Sequence, residues 1–262
     1  MSHLPPGRRV TVDVPATTAN LGPGFDVLAL ALDLGNVVEV ETAAPGAGPA
    51  VTLAVEGEGE GRISADRHNR FIVALERGLR LAGFDPLAVA WRVRMWNAIP
   101  LSRGMGSSAS VTVAGFLAAD ALAGGGVLSR ERILALATEL EGHPDNAAAA
   151  LFGGFVVVGT VDGAPHAVRF DPPASLRCAL YVPDRPLATR AMRAALPPTV
   201  PFRDAVHNVG ATALVVAAFA SGHLELLRSA TIDRLHEPYR ATPYPELPRP
   251  PPPHLPRRRR TR

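Results

Sequence analysis

Glycines and serines are concentrated between Ile99 and Ser110, in the run I-P-L-S-R-G-M-G-S-S-A-S. The glycines let the backbone approach a ligand closely. Ser107 and Ser108 begin a segment of small residues, Ser107–Leu122, whose composition predicts a helix. A helix N-terminus presents unpaired N–H groups and a positive dipole end to a phosphate, and a serine hydroxyl there can bind Mg²⁺. Serine is equally typical of an ordinary helix cap, so a phosphate loop and a cap both stay open.

Three well-known motifs that contain glycine do not match this sequence. A Walker A loop requires a lysine, and the sequence contains none. The turn Gly22–Gly24 does not continue as a dinucleotide-binding fingerprint, because Val27 stands where the third glycine would be. A hydrolase nucleophile elbow is excluded as well, since Ser110 occupies the place of its final glycine.

Polar side chains are dense in residues 139–146, E-L-E-G-H-P-D-N, just before an alanine-rich segment. A carboxylate here could complete a Mg²⁺ site opposite Ser108, because Mg²⁺ prefers oxygen ligands. In the plainer interpretation Asp145 caps the following helix and His143 is structural or solvated. The density of polar groups favours a site.

Two further segments contain groups suited to a small polar substrate. In Pro15–Asp26, the side chains of Asn20 and Asp26 could hold an amine or a hydroxyl, although asparagine and aspartate are also common in plain turns. Asp233–Arg240 and the helix start at Thr189–Arg193 contain arginines that could clamp a carboxylate through paired hydrogen bonds. A solvated charged face is the alternative for these arginines.

The elements that must position these residues follow from hydrophobic spacing. The predicted strands are Arg8–Val14, Val37–Glu41, Val51–Val55, Leu87–Met95, Gly153–Thr160, Ala167–Phe170 and Arg177–Val182. The predicted helices are Asn69–Leu81, Ser107–Leu122, Glu131–Leu140, Arg185–Leu196 and Phe202–Ala220. Because strands and helices alternate without a strict β-α-β period, we predict an α+β fold or a mixed sheet rather than a dinucleotide-binding or barrel fold.

Composition narrows the class of protein. The 262 residues are 47% hydrophobic and 19% charged, which suits one large or two small globular domains. All 27 basic residues are arginines, and six of them follow Leu247, so the preceding part has 21 arginines against 24 acids. This mildly acidic body argues against a basic nucleic-acid-binding face. The apolar stretch Val209–Ala220 is shorter than the roughly 20 residues of a membrane span, and we expect a cytoplasmic protein. Cys178, the single cysteine, excludes a disulfide framework and is expected to be buried.

Four of these segments resemble, in order, the motifs of one family, the GHMP kinases. Pro100–Ser110 is similar to its phosphate motif P-x-x-x-G-L-G-S-S-A, with two mild replacements. Pro15–Asp26 resembles the N-terminal signature of the homoserine kinases within that family. Glu141–Asn146 resembles their E-G-H-P-D-N motif, and Asp233–Arg240 their D-x-x-H-E-P-Y-R segment.

The resemblance implies ATP- and Mg²⁺-dependent phosphorylation of the side-chain hydroxyl of L-homoserine, with no nucleic-acid or membrane partner and with a homodimer left open. It places at ATP the residues Asn69, Pro100, Leu101, Ser102, Arg103, Gly104, Met105, Gly106, Ser107, Ser108, Ala109 and Ser110. It places Asn20, Asp26, Thr189 and Arg193 in catalysis; His143, Asn146 and Arg240 at homoserine; and Ser108 and Glu141 at Mg²⁺.

The resemblance also implies a domain organisation. A ribosomal-protein-S5-like mixed α/β domain would span residues 1–165, and a ferredoxin-like α+β domain residues 166–247. The family's glycine-rich strand and turn beyond the arginine segment has no counterpart here, so we expect the second domain to be incomplete. Residues 248–262 contain only Pro and Arg apart from His254, Leu255 and Thr261. We expect this tail to be disordered and to result from out-of-frame translation.

Three rival functions stay open at this point. One is a kinase of the same fold that acts on another small alcohol, and a second is an inactive homologue that only binds ligand. The third is electrostatic binding of nucleic acid or a membrane surface by the arginine cluster Arg257–Arg260. The acidic body, which offers no matching basic face, argues against the third.

Overall fold

The computed structural model describes residues 1–46, 48–180, 182 and 189–241, except for the side chain of Arg190. These residues form two compact units. The first comprises residues 1–20 and 26–182, and the second comprises residues 21–25 and 189–241. The domain boundaries predicted at residues 165 and 247 stay predictions, and the predicted tail lies outside the described residues.

A six-stranded sheet forms the first unit's framework within the described residues. Its strands are β1 (Arg9–Ala19), β2 (Leu28–Ala43), β3 (Val51–Gly57), β4 (Ala90–Asn97), β5 (Phe155–Val161) and β6 (Ala164–Phe170). The order is β3-β4-β2-β5-β6, with β1 also paired to β2. The β3–β4 pair is parallel and the other pairs are antiparallel. This mixed sheet confirms the predicted fold class.

Strand β2 is much longer than the predicted segment Val37–Glu41. Its first half, L-A-L-A-L-D-L, is rich in residues of modest strand propensity. That half is nevertheless extended because β1 pairs with it through Thr17 and Ala31, and β5 pairs with it through Leu28 and Val157. Tertiary pairing therefore decides the conformation that local sequence left undetermined.

The first unit's helices are α1 (Arg70–Leu81), α2 (Ser107–Ala123), α3 (Arg130–Glu141) and α4 (Asp145–Phe152). The first three confirm their predictions. Asn69 caps α1 by accepting a hydrogen bond from the backbone of Phe71. Helices α1 and α2 approach closely at two glycines: a Cβ on Gly115 would lie 2.5 Å from the Phe71 carbonyl, and one on Gly78 would lie 2.6 Å from the Ala119 side chain. Glycine at both positions therefore permits the contact that seats α2 in the core.

One predicted strand is wrong. The described residues of Arg177–Val182, which are 177–180 and 182, have no strand structure and are exposed. An extended segment becomes a strand only when a neighbour accepts its hydrogen bonds, and none of the ladders of the described sheet includes these residues. The expectation of a buried Cys178 is wrong for the same reason, because the cysteine is exposed.

The described part of the second unit is helical, with α5 (Thr189–Ala194), α6 (Phe202–Ser221), a 3₁₀ turn (Leu224–Leu226), α7 (Leu227–Ala230) and α8 (Glu237–Arg240). Helix α6 confirms the predicted helix Phe202–Ala220, and it begins seven residues before the apolar stretch Val209–Ala220. By length and mean hydropathy α6 is the one described helix that could cross a membrane. Core helices of globular proteins can have the same length and hydropathy.

Candidate active site

The phosphate-loop interpretation is supported by the start of α2. Gly106 is the N-cap residue, with φ of 68°, and no described side chain caps the helix. Ser102 and Gly104 also have positive φ values, of 57° and 76°, so the preceding loop turns tightly. The first N–H groups of a 17-residue helix are thus left for an external acceptor, which is the arrangement that binds anions. This geometry favours the phosphate loop over the serine cap.

The phosphate loop is fixed to β1 at Thr17. The Thr17 backbone N–H donates to the carbonyl of Met105 at 3.1 Å, and its hydroxyl donates to Asn146 Oδ1 at 2.7 Å. A Cβ on Gly106 would overlap the Thr17 hydroxyl and approach Asn146 Oδ1 to 3.0 Å. The loop, the end of β1 and the first turn of α4 therefore meet at one point, which places the predicted residue Asn146 beside the phosphate loop.

The two predicted Mg²⁺ ligands are in contact. Ser108, in the first turn of α2, donates its hydroxyl to Glu141 Oε1 at 3.0 Å. The Thr112 hydroxyl donates to the same oxygen at 2.7 Å, and Arg70 Nε lies 3.7 Å from it. The Glu141 side chain is only 6% exposed, so its charge is little screened by water. A buried carboxylate oxygen beside a serine hydroxyl is the hard-oxygen donor set that suits Mg²⁺.

These two donors would need further ligands to complete a metal site. Among the described residues, no group of three or more His, Cys, Asp or Glu side chains is placed to hold a metal ion together. Mg²⁺ commonly binds through one or two protein oxygens together with waters and substrate phosphates. The pair at the uncapped helix end fits that mode of binding.

His143 is oriented by Asp145. The distance from His143 Nδ1 to Asp145 Oδ1 is 2.8 Å, and the two side chains are 16% and 1% exposed. The same carboxylate oxygen accepts the backbone N–H of Asn146 at 2.8 Å. Asp145 therefore links two residues predicted at homoserine and fixes the orientation of the imidazole ring. A role as a simple end cap does not describe this carboxylate, which also holds the histidine.

Asn20 and Asp26 stand at the two ends of the segment that belongs to the second unit. The Asp26 backbone N–H donates to Asn20 Oδ1 at 3.0 Å, and both residues have positive φ, 58° and 56°. Asparagine and aspartate adopt this conformation more readily than other residues that carry a Cβ. The Asn20 side chain is thus held to the Asp26 backbone by one hydrogen bond across the turn.

Other residues predicted at ATP have different surroundings. Met105, Ala109 and Ser110 are buried, and the Ser110 hydroxyl lies 3.4 Å from the Val14 carbonyl, so they hold the loop against the sheet. The remaining loop residues Pro100, Leu101, Ser102, Arg103 and Ser107 are half-buried or exposed. Asn69 is 3% exposed and donates to Ser64 while capping α1. Its role at the nucleotide stays a prediction.

In the second unit, the two predicted carboxylate-binding arginines meet at one aromatic ring. The guanidinium carbon of Arg193 lies 5.3 Å from the centroid of the Phe25 ring, and that of Arg240 lies 4.8 Å from it. The ring of His236 is 5.2 Å from the same ring. Thr189, at the start of α5, is exposed. The guanidinium groups of Arg193 and Arg240 thus both lie against the Phe25 ring.

Asp233 builds the turn that ends in Arg240. Its carboxylate accepts the backbone N–H groups of Leu235, His236 and Glu237 at 3.1, 2.8 and 2.7 Å, and the Asn208 amide at 2.7 Å. Burial raises the pKa of Asp233, but the hydrogen bonds from Asn208 and the backbone outweigh it, so the pKa lies below its ordinary value of 3.8.

Replacing Asp233 by Asn should therefore destabilise the chain in a pH-dependent way. Because the folded-state pKa is lowered, ionised Asp233 stabilises the fold fully above pH 3.8, and this stabilisation is lost as the pH falls through the folded-state pKa. At pH 7 we expect the free energy of unfolding to fall by about 1–2 kcal/mol. Urea denaturation followed by circular dichroism should show a smaller difference below pH 3.8. A difference independent of pH would contradict this assignment.

Comparison with known proteins shows the family to which the chain belongs. Residues 69–154 match the model of the GHMP kinases N terminal domain. A homoserine kinase of Corynebacterium kroppenstedtii is 45% identical over 249 residues, which are 92% of this chain and 78% of the relative. A homoserine kinase of Thermus thermophilus is 46% identical over 228 residues, 87% of this chain and 74% of the relative. The chain belongs to the homoserine kinase family of GHMP kinases. It is therefore an ATP-dependent small-molecule kinase, as its motifs implied.

The fold agrees with this membership. The crystal structure of homoserine kinase from Cytophaga hutchinsonii superposes with a TM-score of 0.74 at 29% identity, over 89% of this chain and 74% of that one. The predicted GHMP kinase fold is confirmed. The roles of individual residues stay predictions.

Sequence reasoning missed several residues that build the site. Thr17 lies 129 positions from Asn146, and Thr112 lies 29 positions from Glu141, so only the fold shows these contacts. Phe25 lies within the motif Pro15–Asp26 and Asp145 within the motif Glu141–Asn146, so the motifs could have drawn attention to both residues. Neither residue's partner is apparent from its neighbours in the sequence.

Proposed function

We propose that the chain transfers the γ-phosphate of ATP to the side-chain hydroxyl of L-homoserine, giving O-phospho-L-homoserine and ADP. The observation that supports this reaction most is the Ser108–Glu141 pair at the uncapped start of α2, in a chain whose relatives are named homoserine kinases. Phosphoryl transfer depends mainly on positioning and on stabilisation of charge. The described groups of the first unit suit both tasks.

The start of α2 is the proposed triphosphate site. Gly104 and Gly106 let the backbone approach the phosphates, and the N–H groups that follow would donate to phosphate oxygens. Ser108 and Glu141 would hold Mg²⁺, which when bound neutralises charge on the phosphate oxygens. Thr112 and Arg70 keep Oε1 of Glu141 in place.

The proposed homoserine site of the first unit consists of Asn20, Asp26, His143 and Asn146. The hydrogen bond between the first two fixes the turn, and Asp145 fixes the imidazole. A protonated substrate amine would be attracted by the Asp26 carboxylate. Arg193 and Arg240, with Thr189 nearby in sequence, are proposed to bind the substrate carboxylate, because guanidinium groups form paired hydrogen bonds with carboxylates.

No side chain needs to act as the base in this proposal. The hydroxyl proton would pass to the γ-phosphate or to a bound water as the new P–O bond forms. Asp26 then serves in binding rather than in proton transfer, which separates its effect on KM from its effect on kcat.

Asp26→Asn is the variant that tests this assignment. We expect KM for L-homoserine to rise by about tenfold, because a charge-assisted contact is weakened, while kcat changes by less than about threefold. Steady-state kinetics with both substrates varied would measure this. Asp33→Asn, which changes an exposed carboxylate in the same unit, is the matched control. Loss of most of kcat at unchanged affinity would make Asp26 the base.

A substrate panel tests the proposed activity. ADP release, coupled to NADH oxidation, should be accelerated by L-homoserine and much less by mevalonate or galactose. A preference for another alcohol would favour the rival kinase, and equal release with and without every alcohol would favour the inactive homologue. We also infer a cytoplasmic location, since the reaction needs a supply of ATP, and leave the homodimer as a prediction.

A further inference from the structure

We infer that Phe25 is a positioning residue for the substrate carboxylate, because its ring holds Arg193 and Arg240 together. The inference rests on the proposed function, which assigns the carboxylate to these arginines. No function is predicted for Phe25 from the sequence motifs. Both guanidinium carbons lie within 5.3 Å of its centroid, so they are no more than 10.1 Å apart, which is the sum of the two distances.

Each arginine is attracted by the aromatic ring, but the two arginines repel each other. A guanidinium near a ring face is attracted by the negative face of the π system. Two like charges repel one another, and both arginines are half-buried, which limits screening by water. A ring shared by both therefore offsets part of their repulsion and limits where the two guanidinium groups lie. A carboxylate is the kind of ligand that guanidinium groups bind through paired hydrogen bonds.

Phe25 is also held in place by the segment Asp233–Arg240. The ring of His236 is 5.2 Å away and tilted by 32°. His236 Nε2 lies 2.7 Å from the Gly22 carbonyl, so the backbone before Phe25 is attached to the turn before α8. A Cβ on Gly22 would lie 2.6 Å from the Thr231 carbonyl, so this approach requires glycine. The segment and α8 form one preorganised support for the ring.

Phe25→Leu keeps an apolar side chain and removes the π system. We expect KM for L-homoserine to rise by about tenfold, which corresponds to two weak cation–π contacts, with KM for ATP and kcat changed by less than about twofold. Phe25→Tyr should restore KM, because tyrosine offers the same ring face. Phe202→Leu, at a phenylalanine of the same unit that is 85% exposed, should leave all three constants unchanged.

A double-mutant cycle separates this role from a purely structural one. In the Arg240→Met background, the additional change Phe25→Leu should raise KM by less than about threefold, because one of the two arginines through which Phe25 acts is absent and only the contact with Arg193 is lost. An unchanged cost of Phe25→Leu in that background, or failure of Phe25→Tyr to restore KM, would overturn the inference. If Arg240→Met alone left KM for homoserine unchanged, the proposed carboxylate site itself would be wrong.

Discussion

Glu141→Gln should lower kcat by about 10³-fold, the largest kinetic effect that we expect from a single replacement. The amide can still accept the hydrogen bonds of Ser108 and Thr112, so the local geometry should persist while the negative charge is lost. Removal of one electrostatic contact to developing charge typically costs 10²–10³-fold in rate, and the loss of a metal ligand adds to it. We also expect the Mg²⁺ concentration for half-maximal activity to rise at least about tenfold.

The control for this variant is two residues earlier in α3. Glu139 is 54% exposed and forms a surface ion pair with Arg77, so Glu139→Gln should change kcat by less than about twofold. The free energy of unfolding of Glu139→Gln should stay within about 1 kcal/mol of the wild type. Normal turnover of Glu141→Gln, with an unchanged Mg²⁺ requirement, would contradict the assignment of Glu141 to the metal.

Gly106→Ala should produce the largest loss of stability. A Cβ there would overlap the Thr17 hydroxyl and crowd Asn146, and alanine is strained at a φ of 68°. We expect the free energy of unfolding to fall by about 3 kcal/mol, as for overpacking with an added backbone penalty. In the fraction that folds, KM for ATP should rise about tenfold or more, since the loop must move away from β1.

The other end of the same helix provides the control. Gly124, the C-cap residue of α2, has a φ of 119° and an open space where a Cβ would be. Gly124→Ala therefore introduces backbone strain without a collision, and we expect a loss of about 1 kcal/mol. Chemical denaturation of the two variants measures the difference. Equal losses would show that the contact with Thr17 does not constrain the loop.

The elements that local sequence predicted correctly are those with their own signals. Helix α2 begins where a glycine-containing turn passes into small residues, and α1 begins at the cap residue Asn69. The first half of β2 had no such signal, because its leucines and alanines become a strand only through β1 and β5. The segment Arg177–Val182 shows the reverse case. Its composition suits a strand, but no partner strand lies beside the part that the structure describes.

In the candidate site, too, some features follow from local sequence and others depend on the fold. The motifs identified the loop, Glu141 and the arginines, and the pairing of Ser108 with Glu141 follows from their places on α2 and α3. The contacts of Thr17 with Asn146 and of Phe25 with Arg240 join residues far apart in the sequence. Such contacts depend on chain topology, which residue types and spacing do not specify.

The most direct test of the central claim is identification of the phosphorylated product. The chain is incubated with ATP, Mg²⁺ and L-homoserine, and the mixture is analysed by phosphorus NMR and mass spectrometry. We predict a phosphate monoester with the mass of O-phospho-L-homoserine, formed in a one-to-one ratio with ADP and absent when homoserine is omitted. ADP formed without that ester, or an ester formed only with another alcohol, would contradict the proposed function.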